Sequence, residues 1–176
     1  LIGVATVLLF ALCFAFLQML LMPKYMSAPY LEGAMIQEYY DNAGGNDVVF
    51  IGDCEVYENF SPITLWEEYG IPSYIRGSAQ QYIWQSYYLL EETLRYETPK
   101  VVVFNVLSMK YDARQSEPYN RMLLDGMKWS STKVQAVRAC IEASERAGVH
   151  ETFLSYVFPL LRFHSRWSDL GSDDVE

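Results

Sequence analysis

Basic residues are scarce in this chain: 13 Lys and Arg stand against 22 Asp and Glu, for a formal net charge of −9. That balance leaves no basic face to neutralise phosphates, so nucleic acid is excluded as an expected partner. Histidine is scarcer still, with two in the whole chain. No spacing of metal ligands, no phosphate loop and no dinucleotide fingerprint occurs, so neither a metal nor another cofactor is expected. Internal repeats and low-complexity tracts are lacking as well. Of the three cysteines, Cys13 falls in an apolar run. Cys54 and Cys140 fall in the remainder, where a disulfide between them and two separate thiols are both open readings.

Charge is missing altogether from Leu1 to Met22, where Gln18 is the one strongly polar residue. As a helix this run is roughly 33 Å long, enough to cross a hydrocarbon core of about 30 Å. It reads as a retained signal anchor rather than a cleaved peptide, because the apolar stretch is long and stops at Pro23-Lys24 without a small-residue cleavage site. No basic residue precedes the run, so the positive-inside rule has little to act on. The signal-anchor pattern places the rest of the chain outside the cytoplasm, and Lys24 counts against that orientation. The net charge therefore falls on the remaining stretch of about 150 residues, enough for one core. The expected organisation is an anchor at 1–22, a juxtamembrane stalk at 23–46 and one α/β domain at 47–176.

Pro23 to Pro29 bounds the stalk, with Tyr25 and Tyr30 as interfacial aromatics and a short helix from Gly33 to Tyr40. Asn42 to Asn46 has turn composition. Val48-Val49-Phe50-Ile51 is an uninterrupted apolar β-run ending at Gly52, the pattern of a strand covered on both faces. A second strand is expected at Ser73-Tyr74-Ile75, and a third from Val101 to Val106. Between them Ile83, Tyr87, Leu90 and Leu94 recur at helical spacing, so Gln80 to Tyr96 reads as an amphipathic crossover helix. Strand–helix–strand alternation of this kind argues for a parallel sheet with its ligand site at the carboxyl ends of the strands. Ser130 or Ser131 caps a further helix to Arg146, with Val134, Val137, Cys140 and Ile141 inward and Gly148 ending it. More helix is expected from Glu151 to Leu170, broken at Pro159. The acidic end, Asp173-Asp174-Val175-Glu176, reads as solvated.

The chemistry concentrates in Val48-Val49-Phe50-Ile51-Gly52-Asp53-Cys54-Glu55. A buried strand ending in Gly, an acidic residue and a small nucleophile lifts a side chain to the top edge of a sheet. This segment resembles the first block of the SGNH/GDSL hydrolases, in which a Gly-Asp-Ser turn follows the first strand. Ser73 to Ser78 is similar to their second block, and the likeness extends over roughly Asp47 to Asp112. Leu65-Trp66-Glu67-Glu68-Tyr69-Gly70-Ile71 further resembles a stretch in membrane-anchored SGNH-like proteins of Gram-positive bacteria. Those proteins are similar in layout to accessory proteins of cell-surface O-acetyltransferases and to the D-alanyl transfer protein of teichoic acid synthesis.

The resemblance implies a three-layer, flavodoxin-like parallel sheet. It also implies Cys54 as nucleophile, Gly77 as a backbone oxyanion donor beside the N–H of Cys54, and Asn105 as a third donor, although Asn105 falls inside the expected third strand. Cysteine replaces serine, which keeps acyl chemistry available, but Asp53 and Glu55 flank the thiol and disfavour its thiolate. The family's fourth block, Asp-x-x-His, is absent. The domain is then either incomplete at its C-terminal end or without catalysis; without a general base the chain alone is expected to be inert.

His150, at a helix boundary, reads as a surface or capping residue. His164, between Arg162 and Arg166, is the candidate substitute base; the plainer reading packs Phe163 and Trp167 inward and leaves His164 in solvent. Trp66, Tyr69, Tyr82, Trp84, Tyr87 and Tyr88 could line a sugar cleft or fill a core. The expected function is a membrane-anchored esterase or acyltransferase acting on an acylated cell-envelope glycan or polymer through an acyl-Cys54 intermediate. The alternative is a non-catalytic, membrane-tethered accessory or binding subunit beside a multi-pass acyltransferase.

Overall fold

The computed structural model describes residues 2–23, 33–110 and 116–174. The expected stalk, apart from Pro23, lies outside them as far as residue 32, Tyr25 and Tyr30 included. The chain divides into two compact units, Tyr25–His150 and, separately, Leu1–Lys24 with Glu151–Glu176.

The larger unit is mixed α/β. Its order is α2 (Gly33–Asn42), β1 (Val48–Gly52), α3 (Cys54–Asn59), α4 (Pro62–Tyr69), β2 (Ser73–Gly77), α5 (Ile83–Tyr96), β3 (Val101–Phe104), α6 (Glu117–Gly126) and α7 (Ser131–Arg146), with a short 3-10 turn at Leu107–Lys110. Among the described residues the sheet has three strands in the order β2-β1-β3. Both pairings are parallel, with Phe50 opposite Ile75 on one side and Val103 on the other. Parallel neighbours need crossovers, which α3 with α4 and then α5 supply.

Alternation along the strands sends successive side chains to opposite faces. On one face Phe50 and Ile75 form a small core with Val56 of α3, and Leu65 of α4 packs against it. On the other face Arg76 meets Thr93 of α5 and the Tyr39 ring of α2. α2, expected in a stalk, thus packs within the sheet-bearing unit, and its Tyr39 is fully buried.

The helix expected after β2 forms, but its buried face differs from the apolar stripe. Tyr87 and Leu94 are exposed, while Gln85, Ser86, Leu89, Glu92 and Thr93 are buried. The polar groups inside are satisfied: Gln85 Nε2 donates to Asn120 Oδ1 at 2.8 Å, and Glu92 accepts from Tyr40 and Ser130. Buried polar groups that find partners defeat a reading based on hydrophobic period. In α7, Ser130 is the cap, its hydroxyl accepting the Lys133 N–H. Val137 and Cys140 face inward as expected, and Thr132, Lys133, Ala136 and Ser144 take the other buried positions, with Val134 and Ile141 half-buried. α6, not among the expected elements, buries Met122, Leu123 and Leu124 and has Ser116 at its N-cap with a proline in its first turn.

The smaller unit is built on α1 (Ile2–Leu21), which is long and apolar enough to cross a membrane. Its C-terminal part is broken into α8 (Phe153–Val157), α9 (Leu160–Phe163) and 3-10 turns at His164–Ser168 and Ser172–Asp174. The break expected at Pro159 falls between α8 and α9, where proline has no N–H to donate to the ladder. Trp167, expected to pack inward, is 73 % exposed. Asp174, expected to be solvated, accepts from the Arg166 guanidinium at 2.8 Å.

Candidate functional site

The carboxyl ends of the three strands bring together Asp53-Cys54, Gly77-Ser78 and Asn105. β1 ends at Gly52 because nothing larger fits: a Cβ there would lie 2.5 Å from the Asn105 Cβ. Gly77 is fixed by the same crowding, since its Cβ would stand 2.7 Å from Val56 Cγ2 and 2.9 Å from the Gly52 carbonyl oxygen. The two glycines let the strand ends and the first turn of α3 close on one another. Gly77 therefore lies against the Cys54 turn.

Asp53 is the N-cap of α3. Its Oδ1 accepts the Glu55 N–H at 3.2 Å, which ties down an amide that the helix itself leaves unpaired. The same oxygen accepts Asn105 Nδ2 at 3.0 Å. β3 stops at Phe104, so Asn105 stands just beyond the strand and not within it. Its backbone N–H donates to the Ile51 carbonyl, and its Oδ1 accepts the Leu107 N–H at 2.7 Å. The Asn105 side chain is thus committed to a clamp between the ends of β1 and β3. One of its two amide N–H groups is taken by Asp53, and the second is the donor it could still offer.

Cys54 begins α3 and is half-buried. Desolvation pushes its thiol up from the ordinary range, and the charges of Asp53, Glu58 and Glu55 push it further the same way. Among the described residues the charges that raise it are those of Asp53, Glu58 and Glu55, with backbone hydrogen bonding acting the other way. Arg76, next to Gly77 in sequence, points to the opposite face of the sheet, where its guanidinium lies 3.9 Å from the centre of the Tyr39 ring. The site is therefore a neutral thiol among carboxylates, the opposite of an activated cysteine.

His164 is exposed and belongs to the unit built on α1, and His150 is exposed beyond α7. Cys54 and Cys140 are both outside any disulfide, and Cys140 is buried on α7. Among the described residues no group of three His, Cys, Asp or Glu side chains could hold a metal ion. Trp66, Tyr69 and Tyr87 are exposed on α4 and α5, and Tyr82, Trp84 and Tyr88 are half-buried, so none of them fills the core.

The loop after Gly77 carries a further set of polar side chains that sequence patterns overlook. Ser78 Oγ donates to Gln81 Oε1 at 3.1 Å, and Gln81 Nε2 donates to Ser86 Oγ at 2.8 Å, all three residues being buried. Gln80 between them takes a positive φ of 56°, a left-handed conformation uncommon outside glycine. Only the density of Ser and Gln at the start of an expected helix hints at this network.

Comparison with known protein families, with curated proteins and with solved structures finds no match.

Proposed function

We propose that this chain is a membrane-anchored, SGNH-like domain that holds an acylated cell-envelope glycan or polymer at the carboxyl edge of its sheet, as a non-catalytic accessory subunit of a surface-polymer acylation system. The supporting observation is the electrostatics of Cys54, whose half-buried thiol is surrounded by Asp53, Glu55 and Glu58. A nucleophilic cysteine needs a partner that stabilises the thiolate, and the described charges beside it, Asp53, Glu58 and Glu55, oppose it. The Asn105 side chain is oriented by its bond to Asp53, so one of its two N–H groups is committed to the clamp rather than to an oxyanion. What is left is a shaped strand edge without an activated nucleophile.

A second reading, an SGNH-type esterase or acyltransferase working through acyl-Cys54, draws support from Gly77 lying against the turn and from the partial exposure of the sulfur. It needs a general base beside Cys54, and neither described histidine of the chain lies in the same strand-edge cluster of the α/β unit as the thiol: His150 is exposed beyond α7, and His164 belongs to the other unit. The two readings separate when the full chain is incubated with an O-acetylated chito-oligosaccharide and both binding and acetate release are followed. Binding without release is the expected result. Release that vanishes in Cys54→Ser supports the esterase instead, and neither binding nor release overturns both.

A further inference from the structure

Along α1 the contacts of the C-terminal segment form a ladder. At the end of α1, the Leu21 carbonyl accepts Arg166 Nη1 at 2.8 Å, and the same guanidinium binds Asp174. This pairing suits a helix terminus, whose last carbonyls lack partners inside the helix. One turn earlier the Gln18 side chain accepts the Leu160 N–H at 2.8 Å. One further turn in, Phe14 meets Phe158 edge to face, with ring centres 5.8 Å apart. From the end of α1 inward the partners change from an ion pair, to a backbone amide, to an aromatic ring. Gln18 lies about 5 Å and Phe14 about 10 Å from Leu21 along the helix axis.

The same segment leaves apolar side chains uncovered. Leu154 and Leu161 are each 57 % exposed, and Trp167, beside Arg166, is exposed as well. In water these would be a liability. At a bilayer surface they match the pattern of interfacial elements, with Trp and Arg at headgroup level and aliphatic side chains about 5–10 Å deeper.

We propose that Glu151–Asp174 is an interfacial membrane-binding element, lying in the boundary between headgroups and acyl chains of the same bilayer that α1 crosses. Leu161 and Phe158 reach the acyl layer and the Arg166–Asp174 pair sits at its edge. Continuity with α1 selects lipid over a protein partner as the occupant: the exposed apolar face of α1, Leu8, Phe10 and Leu12 included, belongs to the same compact unit as the segment. The inference rests on α1 spanning the membrane, and it is independent of what the strand edge binds.

The test uses the full chain in phosphatidylcholine vesicles, with a fluorescent maleimide at one position at a time. Native Cys13, exposed on α1, reports the span in a Cys54→Ser chain. Leu161→Cys reports the segment in a chain with Cys13→Ala and Cys54→Ser, and Trp167→Cys, at another exposed position, repeats the measurement. Quenching is compared between nitroxide on the lipid acyl chain and iodide in the aqueous phase. The expected result is loss of most of the Leu161→Cys emission with lipid nitroxide and little loss with iodide. If iodide quenches Leu161→Cys while lipid nitroxide still quenches Cys13, α1 spans and the segment does not lie in the interface. A label shielded from both quenchers indicates a protein partner and also overturns the proposal. Iodide quenching at both positions removes the span itself.

Discussion

Where the α/β unit hides Arg76, Gln85, Glu92 and Asn120 from solvent, the unit built on α1 leaves Leu8, Phe10, Leu12 and Trp167 uncovered. The first pattern needs partners for its buried polar groups, and most find them, although Arg76 bonds Thr93 through Nη1 alone and otherwise stacks on Tyr39. Glu97, nearly buried, accepts from the Tyr39 hydroxyl, the amides of Gly44 and Asn46 and the Asn46 side chain. The second pattern needs a solvent in which apolar surface costs nothing, which is what a hydrocarbon layer provides. The α/β unit also exposes single apolar side chains such as Ile63, Trp66 and Met109, but the uninterrupted exposed apolar run belongs to α1.

The largest effect expected from breaking this contrast is on membrane retention. Leu8→Arg with Leu12→Arg places two charges in the middle of α1, at about 3 kcal/mol each. Flotation with vesicles is expected to show loss of the membrane-bound fraction; unchanged flotation contradicts a spanning α1. Next comes the polar interior. Arg76→Ala removes a fully buried guanidinium that stacks on Tyr39 and bonds Thr93. Loss of that stacking and packing should lower the stability of the α/β unit by about 2 kcal/mol, read as a drop in Tm, and an unchanged Tm would show that the cluster is not structural.

A smaller effect concerns alkaline pH. Burial drops the Lys133 ammonium to about 8, although its Nζ donates to the Met127 carbonyl at 2.8 Å. Below that value the folded chain carries a buried charge that the unfolded chain keeps in water. The unfolded state binds more protons between about pH 8 and 10, so stability should rise across that window by about 1–3 kcal/mol. Above it the sign reverses. Desolvation pushes the Tyr40 and Tyr74 hydroxyls up to about 12 and raises Tyr39 as well. These groups stay protonated in the folded state after they ionise in the unfolded one, and stability is lost. Thermal melts should therefore show an alkaline maximum, and the rising limb should vanish in Lys133→Met; a monotonic fall from pH 7 contradicts the assignment.

Much of the fold is legible in the residues because local and long-range signals agree there. Val48 to Ile51 and Val101 to Phe104 are β-branched, apolar and short, and α1 is apolar over its whole length. The α5 face was not legible, since its buried side is polar and its apolar side is exposed. At the site, the Gly52-Asp53-Cys54 turn and Gly77 follow from sequence pattern. The Asn105 clamp does not, because it joins Asp53 to a residue 52 positions away and depends on where β3 stops. Nor could the sequence show that His164 lies in a different compact unit from Cys54.

The smallest expected effect bears on the site itself. Asp53→Asn keeps a good N-cap residue and removes the nearest charge from the sulfur. It should bring the titration of Cys54 down, with faster alkylation at neutral pH. An unchanged titration would show that the Asp53 charge does not reach the thiol.

The most direct measurement is the pH dependence of Cys54 alkylation in the native chain, followed by mass spectrometry of the peptide that contains it. A thiol facing Asp53, Glu55 and Glu58 should become reactive only above the ordinary cysteine midpoint of about 8.5. A midpoint near or below 7 would contradict this, since only an activated nucleophile ionises there.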